Sequence, residues 1–211
     1  MGRPGLLVRA HTRTSGVTLV ETLIACALLV LVVGATLTLF VESLVYYSAL
    51  DDANTLTQGG QIAMNRLCTE LAESHAGSIQ WNASPPGVVF ASPKGADGRF
   101  HYDPSTNALL WQGYVCYYVG QVQGVRSLVR KELYFSSIPM ALPTSPPSVP
   151  STYNTAYFQA ASLPVWVCPN VTSLSGSLNG AVELLTLQMT TQPSSSRANS
   201  MTVFTSVYPR N

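Results

Sequence analysis

The side chains able to do chemistry are few and far apart. The chain of 211 residues holds three histidines, His11, His75 and His101, and four cysteines, Cys26, Cys68, Cys116 and Cys168. No HxxxH, paired CxxC, GxSxG or glycine-rich phosphate loop joins them, so zinc hydrolysis, acyl transfer and nucleotide chemistry have no motif to stand on. A lone histidine in a strand, as His101 is expected to be, more often makes a surface or structural hydrogen bond than acts as a base. Asp97 and Asp103 flank Gly-Arg-Phe-His-Tyr and raise the question of calcium, but a hard cation wants several oxygen ligands converging. They are read as hairpin-tip carboxylates. The expectation is a protein that is not an enzyme, with no catalytic residue, no cofactor and no metal.

One acid stands apart. Glu21 is the only charge between Ser15 and Val41, near the start of the most apolar stretch of the chain. From Leu23 to Val41 run 19 residues with no charge and no proline, enough helix to cross a hydrocarbon core of about 30 Å. Arg3, Arg9 and Arg13 precede it and no acid does. By the positive-inside rule the N-terminus is cytoplasmic and everything beyond Val41 lies outside the cytoplasm. With 46% hydrophobic and 10% charged residues the chain is too apolar for disorder. Without residues 1–16, the eleven basic residues fall to eight against ten acids, a balance that argues against nucleic acid held on a broad basic face. A cleaved secretory signal and a plain signal anchor are the simpler readings of the apolar stretch. The first wants a small-residue cut site after a short core, yet Ala35, Thr36 and Thr38 sit inside a run that stays apolar beyond them.

Residues 16 to 21 favour a third reading. A basic leader, then Gly16, then Val17-Thr18-Leu19-Val20-Glu21 opening an apolar helix resembles the cleavage and methylation signature of type IV prepilins and type II secretion pseudopilins. Val17 stands where that family most often has Phe. The resemblance implies cleavage between Gly16 and Val17 by a prepilin peptidase, N-methylation of the new terminal residue, and Glu21 as the family's acidic position acting in assembly. It implies a bacterial inner-membrane protein, single pass, whose partners are other pilin or pseudopilin subunits and an inner-membrane assembly platform, and whose outer domain lies in the periplasm or in an extracellular filament. At a helix N-terminus a carboxylate gains about 0.3–1 kcal/mol from the dipole. Inside a bundle of apolar helices it needs a partner, and the amine released at Val17 would attract it by about 4 kcal/mol at 4 Å and an effective dielectric of 20.

The elements that would carry this segment follow from periodicity. No proline occurs from Glu42 to Ser74, and Leu44, Tyr47, Leu56, Ala63, Leu67 and Leu71 recur on one helical face, with Arg66 and Glu70 as an i,i+4 pair. One helix is expected from about residue 18 to 74, with a weak point at Gly59-Gly60. After Ala76 the period changes to that of strands. GVVFAS, GRFHYD, ALLWQG, YVCYYVG and SLVRKELYF are read as an antiparallel meander, with turns at Pro104–Asn107 and Gly120–Gly124. Residues 139–164 hold six prolines and read as a loop. GAVELLTLQMTT and SMTVFTSVYP close the domain, joined by QPSSSRAN. The fold class is therefore α+β, a long N-terminal helix, half transmembrane and half amphipathic, packed on a small antiparallel sheet. The domains are a cleaved leader (1–16), a membrane half (17–41), an amphipathic half (42–75) and a β domain (76–211).

The outer part also resembles the larger minor subunits of the family, pseudopilin J of type II secretion and PilW-type minor pilins, which gives the domain a pilin-like expectation. The function implied is a structural subunit that helps initiate or cap a pilus or pseudopilus. The alternative is a pilin-like binding module whose β domain grips DNA, a surface or a secreted substrate. Placed outside the cytoplasm, Cys116 and Cys168 are expected to form a disulfide, with two buried free thiols as the other outcome.

Overall fold

A computed structural model describes residues 16–135, 142–163, 165–179, 184–191 and 200–209. The leader before Gly16, the segment QPSSSRAN and the terminal Arg210-Asn211 lie outside the described residues. Helix α1 spans Leu19–Glu73, and the chain divides into two compact units within it, at Ser48 and Ala49. In the first unit, every described residue is exposed. In the second, one stripe of α1 is buried: Leu56, Gly60, Ala63, Met64, Leu67 and Leu71, at the three- and four-residue steps of a helical face. The stripe starts later than its sequence period suggests, because Leu44 and Tyr47 are 54% and 67% exposed. Nor does Gly59-Gly60 break the helix. Gly60 is buried, and the Gly59 carbonyl accepts from Cys168 Sγ at 3.4 Å.

The strands are β1 (Gln80–Ala83), β2 (Pro86–Ser92), β3 (His101–Tyr102), β4 (Leu109–Leu110), β5 (Gly113–Val122), β6 (Val125–Tyr134), β7 (Val165–Pro169), β8 (Val171–Asn179), β9 (Leu184–Thr191) and β10 (Met201–Val207), with a short helix α2 (Thr155–Ala160) before β7. They form an antiparallel five-stranded sheet, β1-β2-β5-β6-β7, a three-stranded sheet, β10-β9-β8, and the hairpin β3-β4. The fold is α+β, with one long apolar N-terminal helix and an antiparallel five-stranded sheet.

The expected meander is corrected at its start. β2 pairs directly with β5, Val89 opposite Cys116, so β3 and β4 form a side hairpin between them. That hairpin's turn absorbs Asp103, whose carboxylate accepts from Ser105 N at 2.9 Å, Ser105 Oγ at 2.7 Å and Thr106 Oγ1 at 2.9 Å. The β5–β6 turn is shorter than Gly120–Gly124. Only Gln123 and Gly124 lie outside the strands, both with positive φ (52° and 81°), as the type I′ turn of a tight hairpin requires.

Seven consecutive residues of β5, Gly113–Val119, are buried, so this sheet is apolar on both faces. Val88, Phe90, Val115, Tyr117 and Leu128 face the α1 stripe, with Val171, Leu174 and Val207 of the smaller sheet closing the same cluster. The close approach of the two sheets needs Gly176, where a Cβ would run into the Trp81 ring. The other face, with Val89, Tyr114, Cys116, Tyr118, Val129 and Leu133, is covered by Leu142, Val149, Tyr153, Phe158 and Leu163. Residues 142–163 are thus a second cover rather than a bare loop, and they contain α2. Asn154 caps that helix by accepting from Tyr157 N at 3.0 Å, and Thr155 Oγ1 donates to Pro85 O at 2.9 Å.

Each cover is also tied down by a charge on β6. Arg130 Nε donates to both oxygens of Glu70, at 3.0 and 2.9 Å, while Arg66 Nε donates to Oε1 at 3.2 Å and Tyr117 OH to Oε2 at 3.0 Å. Arg130 Nη2 also donates to Glu132, whose other oxygen accepts from Tyr134 OH at 2.6 Å. Next along the strand, Lys131 is 9% exposed and donates to the carbonyls of Phe158, Gln159 and Ala161 at 2.8, 3.3 and 2.7 Å. It closes the C-terminal end of α2, where free carbonyls accumulate.

Two measurements check this. Lys131→Met keeps the methylene stem but strands those carbonyls, and should lower the stability of the full chain in detergent by about 1.5–3 kcal/mol in a urea titration, with faster proteolysis within residues 142–163. Burial alone would raise the Glu132 carboxyl, but hydrogen bonds from Arg130 and Tyr134 outweigh it and hold it below its ordinary 4.5. A group depressed in the folded state contributes stability above its unfolded value and loses it as pH falls. Stability should therefore drop as pH is lowered below about 4.5, and Glu132→Gln should flatten that drop.

Candidate functional site

The residues of chemical interest sit where the chain enters α1. Residues 16–18 are not helical, and helix begins at Leu19. Gly16 is exposed, and a Cβ built on it would meet nothing within 4 Å. Val17 is 75% exposed. The bond between them is open to approach from solvent.

Thr18 and Glu21 close the first turn on each other. Thr18 N donates to Glu21 Oε2 at 2.9 Å, Thr18 Oγ1 to the same oxygen at 3.1 Å, and Glu21 N to Thr18 Oγ1 at 3.3 Å. This is a capping box, two unpaired backbone donors satisfied reciprocally by side chains three residues apart. Both carboxylate contacts fall on Oε2, so Oε1 takes no part in the box. The sequence reading weighed Glu21 against the helix dipole but missed Thr18. The signal was there, a Thr-x-x-Glu just ahead of an apolar run.

Behind the cap, α1 is long and apolar enough to cross a membrane. Its polar side chains are fitted to that use. Thr22 Oγ1 donates to Thr18 O at 3.3 Å, Thr36 to Val32 O at 3.0 Å and Val33 O at 2.9 Å, Thr38 to Gly34 O at 2.8 Å, and Ser43 to Leu39 O at 2.7 Å. Each hydroxyl is satisfied within its own helix, so none would be stranded in hydrocarbon. Tyr46 and Tyr47 follow the apolar run, both exposed.

The other sequence candidates do not assemble into a site. Cys116 and Cys168 are free and buried, which overturns the expected disulfide. Cys116 lies on β5 opposite Lys131 and faces the α2 cover; Cys168 lies on β7 opposite Leu128 and belongs to the α1 side. Two strand spacings, about 10 Å, and the sheet itself separate them, beyond the Cα separation a disulfide tolerates. Burial pushes both thiols up. His75 accepts from Gly77 N at 3.0 Å as a local cap, and His101 Nε2 lies 3.0 Å from Asp97 Oδ1 on the exposed hairpin. Among the described residues no group of three or more His, Cys, Asp or Glu could hold a metal ion.

The box separates two properties of Glu21. Glutamine is as competent as glutamate in a capping box, so Glu21→Gln should leave the first turn formed, whereas Thr18→Ala should loosen it by about 1 kcal/mol. Amide hydrogen exchange over residues 18–24 in micelles would show faster exchange in Thr18→Ala alone.

Comparison with known proteins brings no family to these sites: no family model, no curated protein and no solved structure matches this chain.

Proposed function

We propose that this chain is a minor pilin-like subunit, made as a precursor, cut between Gly16 and Val17, and drawn from a bacterial inner membrane into a pilus or secretion pseudopilus that it helps initiate or cap. One observation carries the reading. An exposed glycine junction sits directly before a capped apolar helix whose described residues up to Thr55 are all exposed. Such a surface requires another apolar phase around it, first lipid and then neighbouring helices. The cap also suits the cut. Thr18 N, Thr18 Oγ1 and Glu21 all lie beyond the Gly16–Val17 bond, so cleavage leaves the box whole and frees an amine one residue ahead of it.

In this role Glu21 meets the amine of Val17, on its own chain or on the subunit it docks against, and sets register. The β domain lies outside the cytoplasm, and the working partners are other pilin-like subunits, a prepilin peptidase and a membrane assembly platform. Mass spectrometry of the mature protein should find Val17, methylated, at the N-terminus. Glu21→Gln should insert and be cut normally, yet recover fewer pilin-like subunits on pull-down, since it keeps the cap and loses the charge. A mature chain that starts at Met1 or beyond Val41, or unchanged co-assembly in Glu21→Gln, would remove the basis of the proposal.

A further inference from the structure

Beside the Glu70 network the second unit holds an open cleft of about 270 Å³, lined by Arg66, Glu70, Ser92, Lys94, Arg130 and Glu132 among others. Its carboxylates are already supplied. Both oxygens of Glu70 accept from arginine, and both oxygens of Glu132 accept, one from Arg130 and one from Tyr134. Its cations are each ion-paired as well, but they keep donors to spare. Arg66 donates through Nε alone, and among the described residues nothing engages its two terminal nitrogens or Arg130 Nη1. Lys94 Nζ has a single acidic partner, Glu73 at 2.6 Å. Arg66 and Lys94 side chains stay 38% and 32% exposed, so these unused donors are within reach of solvent.

The Arg66 guanidinium is also held still. It lies over the Trp166 ring, 4.9 Å from the centroid, while its Nε is fixed on Glu70. A stacked guanidinium anchored at Nε presents its terminal pair as a planar fork, the geometry that matches a carboxylate. Asp97, between the lining residues Ala96 and Gly98, is engaged by Arg99 N at 3.1 Å and by His101.

We propose that this cleft is a carboxylate-binding site, with Arg66 as the bidentate contact and Lys94 and Arg130 as flanking charges. The ligand is an acidic side chain of a partner protein or a free small carboxylate. The assignment rests on the second unit alone and holds whether or not the chain assembles with pilin-like subunits.

Tryptophan emission of the full chain in detergent reads the site through Trp166, with Trp166→Phe as the control that removes the signal. Succinate, a Glu-Gly-Glu peptide and inorganic phosphate are titrated at low salt. Saturable responses to succinate and to the peptide are expected, both weakened as salt rises. Arg66→Gln should weaken them about tenfold or more, the loss of one charge-assisted pair. Arg66→Lys guards against a folding defect: it keeps a cation beside Glu70 but loses the fork, and should keep the thermal midpoint while binding weakly. A tighter peptide assigns the ligand to a protein partner, and a tighter succinate assigns it to a free carboxylate. No saturation with either, or equal binding by Arg66→Lys, or phosphate bound better than both, would overturn the assignment.

Discussion

A sheet that is apolar on both faces must be covered twice, and most of this domain follows from that requirement. β5 alternates its side chains between two cores, Val115, Tyr117 and Val119 on one side and Tyr114, Cys116 and Tyr118 on the other. Neither face can be left to water without exposing several aromatic and aliphatic groups, at about 25 cal/mol for each Å² uncovered. The α1 stripe and the smaller sheet meet one face; the proline-rich segment with α2 meets the other. β6 then carries one charge toward each cover. Arg130, opposite Tyr117, reaches Glu70 of α1, and Lys131, opposite Cys116, reaches the last carbonyls of α2. Charges this buried are costly unless matched. A displaced cover would cost Arg130 its Glu70 partner, leaving it Glu132 alone, and would leave Lys131 without the α2 carbonyls, so each contact holds a layer in register as well as adding to its stability.

The helix presents two kinds of surface in turn. Up to Thr55 every described residue of α1 is exposed, and its threonines and serines bond back into their own helix. From Leu56 onward one stripe is buried, and the polar positions form ion pairs, Arg66 with Glu70 and Glu73 with Lys94. Glycine, a helix weakener by about 1 kcal/mol, sits where the second part begins. At Gly59 a Cβ would meet Cys168 Sγ at 3.8 Å, an ordinary contact distance.

What could be read from the sequence was what depends on local period. The apolar run, the 3.6-residue stripe from Leu56 to Leu71, the Arg66–Glu70 pair and the strand character of YVCYYVG are all written in neighbouring residues. Pairing was less legible. Nothing local says that β2 skips the β3–β4 hairpin to reach β5, and the four residues of β1 have no strong alternation of their own. α2 was hidden by composition. Prolines on both sides suggested a loop, yet Asn154 offered a cap and the residues from Thr155 to Ala160 include no proline. The disulfide failed on strand order and on parity. β5 and β7 lie two strands apart and the two cysteines take opposite faces, and neither fact is written in neighbouring residues.

The capping box changes how the Glu21 carboxylate should be understood. An unpaired charge at membrane depth costs about 2.5–3.5 kcal/mol even on the lenient scale, a cost that calls for a partner. In fact Thr18 already provides one at 2.9 Å. On the proposed function, a subunit still in the membrane would therefore have no orphaned carboxylate. In the proposed role the amine would meet Oε1, the oxygen that the box leaves unused, so docking need not undo the cap. A carboxylate and an amine 4 Å apart attract by about 4 kcal/mol at an effective dielectric of 20 but by only about 1 kcal/mol in bulk water. The added pair therefore counts only where the amine is brought close and water is kept away, in a packed, apolar neighbourhood.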